Sequence, residues 1–428
     1  MRLTLLELNE INFEIVKKYL DSGSNLPSFK YLIDKGMLET NSEDIYENIE
    51  PWIQWPSVHT GKTFSEHGIF RLGDIVNSKE EQVFEKVEKM GYRVGAISPM
   101  NASNKLQGNG YFIPDPWTDT NSDPSFLSKS IAQAISQAVN DNSKSKITLK
   151  SLLSLALAFI TIINLKDYKD FIKLAFTSFG KPWRKAIFLD KLLHKVHLRY
   201  IHKYKIDFSV IFLNAGAHIQ HHYFLNSKVF ASPNRQNPEW YVAQSLDPLR
   251  ELLESYDDLI KDYLEMEGEV IIATGLSQKP YERTKFYYRL KDHRKFLKNI
   301  GIEFLKVEPR MTRDFLINFS SQSLVEDALN KLESISVEGE RLFGEIEIRG
   351  LELFVTLTYP NEINKDTIFN LNGNNSKLSK HVVFVAIKNG MHQNKGYAYF
   401  SEGLKSLQPT SGGHVKDIHD TIMEYYRN

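Results

Sequence analysis

Four short apolar runs, each closing on a polar residue and separated from the next by helix-patterned sequence, constrain this chain more than any other feature. Leu3–Leu8 stands directly before the polar pair Asn9-Glu10, and residues 92–97, 207–213 and Glu269–Ala273 repeat the pattern, giving way to Ser98, Asn214 and Thr274. A short apolar run without alternation is a strand buried on both faces. Asn12 is placed to cap a helix over residues 13–22 that stops near Gly23, and residues 83–90 and 246–266 also carry helical spacing. Strands alternating with helices predict an α/β fold with a mostly parallel sheet flanked by helices. Such sheets bind their ligands outside the carboxyl ends of the strands.

Two stretches interrupt the alternation and set the expected domain plan. Residues 1–120, 205–300 and 381–428 form the sheet-bearing core, 121–204 a helical insertion, and 301–380 a small α+β insertion. Within the last, residues 351–357 read as a strand, 324–332 as a helix, and the Asn-, Asp- and Lys-rich residues 361–380 as a surface loop. The helical insertion has a basic second half that includes Lys181, Arg184, Lys185, Lys191, Lys195, Arg199 and Lys203, with aromatics interleaved. That pattern suits a surface for anionic membrane or a lipid-linked phosphate; an amphipathic cap with a solvated basic face is the competing reading.

Composition removes several classes of function. With 53 Lys+Arg against 53 Asp+Glu there is no net charge to draw the chain to nucleic acid. No cysteine is present, which excludes disulfides, thiolate metal sites and a cysteine nucleophile. Glu7, Glu10 and Glu14 break the first apolar run too early for a signal peptide, and polar residues interrupt the longest one, 152–165, short of the ~20 residues a span needs. The expectation is a cytoplasmic protein, with peripheral contact at the inner membrane face through the insertion.

Several segments together resemble the alkaline phosphatase superfamily, in its type I phosphodiesterase and nucleotide pyrophosphatase branch. Leu8-Asn9-Glu10-Ile11-Asn12 is similar to the family's Leu-Asp-Gly-x-Asp run, with Asn9 at the metal-binding Asp. Trp55-Pro56-Ser57-Val58-His59-Thr60-Gly61, followed by His67-Gly68-Ile69, follows its Trp-Thr-Ser-x-x-Thr-Gly and His-Gly-Ile pattern; the nucleophilic Thr falls at Pro51. Ala217 and His221 stand at an Asp and a His four residues apart, Gly275 and Leu276 at a further Asp-His pair, and His392 at the final His. The resemblance spans the first 120 residues, about 205–285 and the C-terminal 45, and implies phosphoryl chemistry assisted by two zinc-like ions.

The residues that would hold those ions are mostly gone. Each ion needs about three nitrogen or carboxylate ligands, and the mapped set retains only His221 and His392, with Asn9 a weak neutral donor. The paired site is therefore not expected, although a single divalent ion on His221 and His392 with an outside carboxylate stays open. The polar groups expected to converge on the crevice are Glu10, Glu50, His221 and His392 as catalytic candidates, and Glu7, Asn9, Asn12, Gln54, His59, Asn214 and His218 as substrate contacts. Arg310 and Arg313 form a further anion-binding candidate, with a surface ion pair as the alternative. These readings converge on a hydrolase or group transferase with little or no metal dependence. Its substrate is expected to be a phosphorylated or nucleotide-linked small molecule or glycan, as in cell-surface polysaccharide biosynthesis from nucleotide sugars. An inactive binding or scaffold protein and a conventional metal-dependent phosphodiesterase are the alternatives.

Overall fold

The computed structural model describes residues 2–140, 159, 162–230, 235–310, 313–371 and 374–428. The chain divides into two compact units, one of residues 1–230, 244–280 and 390–428, the other of residues 231–243 and 281–389. The second unit therefore takes in residues 231–243, 281–300 and 381–389 as well as the expected 301–380, and the helical insertion is part of the first. The apolar run 152–165 lies largely outside the described residues.

The first unit is built on a seven-stranded sheet. Its strands are β1 (Leu3–Leu8), β2 (Leu38–Asn41), β3 (Val94–Ile97), β4 (Tyr111–Ile113), β5 (Phe208–Leu213), β6 (Glu269–Ala273) and β7 (Lys395–Phe400), in the order β2-β7-β6-β1-β5-β3-β4. β4, β3, β5, β1 and β6 run parallel, while β7 pairs antiparallel with both β6 and β2. The α/β class, with its mostly parallel sheet flanked by helices, is as the alternation implies. β1 occupies the middle, with Leu8 opposite Leu213 and Glu7 opposite both Phe212 and Ala273. Every side chain of β1 and β5 is buried, which is what strands covered on both faces require.

One apolar cluster joins Leu3 and Leu5 of β1 and Val210 of β5 to Trp55 and Val58 of helix α1 (Pro51–Thr60) and to Ile418 and Ile422 of the C-terminal helix Asp417–Arg427. Burying a Leu or Ile of this kind stabilises by ~1.5–3 kcal/mol. Helix α2 (Trp183–Tyr204) belongs to the insertion, and α3 (Ala215–Tyr223) and α4 (Pro248–Leu264) follow β5. Asn12 caps helix Phe13–Asp21, its side-chain oxygen accepting the Glu14 N–H at 2.9 Å.

The second unit is α+β. An antiparallel sheet of Glu345–Arg349, Glu352–Thr356, Asp314–Asn318 and Lys306–Pro309 shares a core with helix Gln322–Ser334, through Phe315, Ile317, Leu353 and Val355 against Val325, Ala328 and Leu332. Residues 361–380 are not a plain loop. Ile368–Leu371 pairs antiparallel with Asn374–Lys377, and Phe369 in it is buried in the core, an anchor outweighed in the sequence by the polar residues around it.

Candidate functional site

Glu10, His221 and His392 meet at the carboxyl end of the central strand. Glu10 sits in the turn leaving β1 with φ +64°, a left-handed conformation that costs a side-chain-bearing residue about 1–2 kcal/mol. In the family run that Leu8–Asn12 resembles, the same position is a glycine, the residue for which that conformation is free of strain. Three contacts hold the turn: the Glu10 N–H donates to Thr274 O at 3.1 Å, and its carbonyl accepts from the Gln278 N–H at 3.2 Å and the Gln220 Nε2 at 2.8 Å.

α3 delivers His221. Buried Asp190 of α2 fixes its start, accepting the Ala215 N–H at 2.7 Å and the Tyr256 hydroxyl at 2.6 Å; that hydroxyl in turn accepts the Gly216 N–H at 3.1 Å. His392 lies just before β7, and because β7 runs antiparallel to β6 this start falls at the same end of the sheet.

The three ligand atoms form a near-equilateral triangle. Glu10 Oε2 is 3.2 Å from His221 Nε2 and 3.1 Å from His392 Nε2, and the two imidazole nitrogens are 3.2 Å apart. The other ring nitrogen of His392, Nδ1, faces Glu50 Oε2 at 3.3 Å. Gln278 Nε2 donates to Glu10 Oε2, and Asn9 Nδ2 donates to Oε1 at 3.2 Å. Burial works against a charge on Glu10, yet the imidazoles of His392 and His221 hold its carboxyl well below the usual carboxylate range. Burial likewise opposes charge on His392, but Glu10 and then Glu50 push it up to about 10. His218, one turn before His221 on α3, is exposed, and its ring lies 4.7 Å from that of His222.

This donor set fits one ion and not two. Metal–ligand bonds of about 2.0–2.1 Å in a tetrahedron put neighbouring donor atoms roughly 3.3 Å apart, close to the three edges seen here. Two imidazoles and a carboxylate leave a fourth position open, and a carboxylate behind a ligating histidine is the usual outer support. Among the described residues this is the one group of three or more acidic or imidazole side chains able to hold a metal ion. Among the described residues no comparable set stands where the resemblance implies a second ion. Asn9 Oδ1 accepts the Trp55 indole N–H at 2.8 Å, and a side chain on Gly275 would lie 3.2 Å from that indole. Leu276 is fully buried, and Pro51 opens α1. An indole thus occupies the neighbourhood where the resemblance implies ligands.

The other expected site residues separate into groups. Asn9 and Asn214 border the triangle, joined at 2.9 Å. Asn12 is consumed by its cap and by Gln278 O at 2.8 Å. Glu7 and His59 are fully enclosed and paired at 2.7 Å, with burial raising the Glu7 carboxyl. Gln54 is also enclosed, donating to Asn48 O at 3.0 Å. Arg310 and Arg313 belong to the second unit, where Arg310 faces Glu308 at 3.6 Å and Arg313 stacks over Tyr287 at 4.3 Å. Sequence reasoning did not single out Gln278, Gln220 or Asp190. Asp190 carried a signal, as the one acid between Lys181 and Lys205.

Gly390 provides the closest test of this scaffold. A methyl there would collide with the Gln278 side-chain amide and lie 2.9 Å from Gln220 O, and both residues hold Glu10. Gly390→Ala is expected to lower divalent-ion affinity about 10–100-fold while the far-ultraviolet circular dichroism stays that of wild type. Unchanged affinity would show that Gln278 does not position Glu10.

No protein-family model and no curated protein matches this chain. Among solved structures it is similar to the phosphonoacetate hydrolase of Sinorhizobium meliloti bound to phosphonoformate, at 10% identity over 100% of this chain and 96% of that one, TM-score 0.45. It is also similar to murine ectonucleotide pyrophosphatase/phosphodiesterase 5 in complex with AMP, at 10% identity over 100% and 95%, TM-score 0.40. The alkaline phosphatase PafA aligns at 11% identity over 99% and 96%, TM-score 0.42.

Proposed function

We propose that this protein is a phosphoester hydrolase or group transferase that works with a single divalent ion held by Glu10, His221 and His392. The observation that carries the reading is the triangle of donor atoms with edges of 3.1–3.2 Å, backed by Glu50. The motif resemblance points to phosphoryl chemistry, and a phosphorylated or nucleotide-linked saccharide is the substrate we propose by extrapolation from the basic insertion. An ion bound there would polarise a phosphoryl oxygen and bring the pKa of a coordinated water toward neutrality. Glu50 would hold the proton on His392 Nδ1, leaving Nε2 as the donor atom.

Elemental analysis and turnover on an activated phosphodiester and on nucleotide sugars test the reading. The expected result is one zinc or manganese ion per chain, chelator-sensitive turnover, and near-complete loss of activity in His221→Ala and His392→Ala. A second reading draws on the internal neutralisation of the triangle, in which the Glu10 carboxylate already balances a protonated His392. It makes the site a metal-free binding crevice, and metal-free protein that binds a nucleotide sugar without turning it over would establish that instead.

A further inference from the structure

The helix Tyr168–Thr177 shows two faces that do not suit a water-exposed helix. On one, Phe171 is buried and meets the Phe188 ring of α2 edge-on at 5.2 Å, which anchors the helix. On the other side and at both ends of the helix, large apolar side chains stand in solvent where polar residues belong. Leu165 is 87% exposed, Phe176 74% and Phe179 89%, with Ile172 beside them at 49%. Ile172 and Phe176, four residues apart, lie on one side of the helix, and Leu165 and Phe179 flank its two ends. Such a cluster marks an interaction surface and not a scatter of single exposed residues.

Charge identifies what the surface meets. Lys166, Lys169 and Lys173 are exposed among these residues, and residues 165–181 contain four Lys against Asp167 and Asp170. Aromatic and aliphatic side chains interleaved with lysines match an anionic phospholipid surface, where rings enter the headgroup boundary and lysine stems reach up to the phosphates. Part of the basic stretch that follows is engaged within the protein. Arg184 is bound by Glu251 at 2.7 and 2.9 Å, Lys195 by Asp262 at 3.2 Å, and His194 and His197 are buried.

We propose that the face carrying Leu165, Ile172, Phe176 and Phe179 docks the protein on anionic membrane, with Lys166, Lys169 and Lys173 contacting lipid phosphates. Cosedimentation with vesicles tests it. Wild-type protein is expected to bind vesicles of equal parts phosphatidylcholine and phosphatidylglycerol, to release as salt rises, and to leave pure phosphatidylcholine unbound. The double substitution Phe176→Ser, Phe179→Ser should lower the partition coefficient on the order of 100-fold. Lys169→Glu with Lys173→Glu should lower it about tenfold or more. Both variants should keep the wild-type melting temperature and zinc affinity, which separates this surface from the Glu10 site. Wild-type protein that ignores anionic vesicles, or a Phe176→Ser, Phe179→Ser variant that binds them normally, overturns the proposal. So does self-association in solution that the serine variant abolishes while vesicle binding is absent, since the face would then belong to a second copy of the chain.

Discussion

Glu10→Gln is expected to reduce affinity for zinc on the order of 100- to 1000-fold and to abolish turnover, with the fold intact. The substitution keeps the size of the side chain and the left-handed turn at residue 10, but it replaces a carboxylate, a strong ligand that must be ionised to bind, with a weak neutral oxygen. It also removes the charge on which His392 depends, because Glu10 is the strongest of the partners that hold the imidazole up against burial. Asn9→Ala is the informative contrast. Its oxygen is already taken by the Trp55 indole, and its amide donates to Asn214 and to the outer Glu10 oxygen only, so it should cost no more than about tenfold. Calorimetric titration with zinc separates the two. If Asn9→Ala hurts and Glu10→Gln does not, the ion is held in the way the family run implies and the Glu10 triangle is wrong.

The contrast between Asn9 and Glu10 shows where sequence reading stops. The centre of the sheet was legible because β1, β5 and β6 are short, mostly apolar runs. β2, with its sequence LETN, and β4, only three residues long, give no such signal, since short edge strands carry too few residues to set a period. The hairpin of Ile368–Leu371 and Asn374–Lys377 was hidden by polar composition, although Phe369 anchors it. Within the site, the motif match drew the eye to Asn9, His221 and His392. Glu10 was legible as a nearby carboxylate, but its role depends on a positive φ that a glutamate does not advertise. In the single-ion reading proposed above, Glu10 supplies the carboxylate from the position beside Asn9, in a left-handed turn. Glu7, Gln54 and His59 show the converse. They are polar residues near the right strand whose side chains point into sealed interior, and residue type alone does not separate that from a crevice.

Asp190 links the insertion to the chemistry, and its removal should be the most damaging single change to the fold near the site. Asp190→Ala leaves the Ala215 N–H and the Tyr256 hydroxyl without their buried acceptor, which is expected to cost ~3 kcal/mol or more. Because Asp190 fixes the start of α3, the same variant should also weaken zinc binding through His221. Asp190→Asn separates the hydrogen bonds from the charge. Burial raises the Asp190 carboxyl from 3.8 to about 6 in the folded chain, so its contribution to stability is fully present below the unfolded value, where the proton is bound in both states. That contribution is lost as pH rises through about 6, and the span corresponds to ~3 kcal/mol. Urea unfolding of wild type and Asp190→Asn across this range should therefore show the wild type losing stability relative to the variant by about that amount between pH of about 4 and about 7. Asp190→Asn, with an acceptor oxygen retained, should keep near-native zinc affinity. A stability difference that stays flat over the same range would mean that Asp190 is ionised throughout, its carboxylate satisfied by Ala215 and Tyr256 well enough to offset burial.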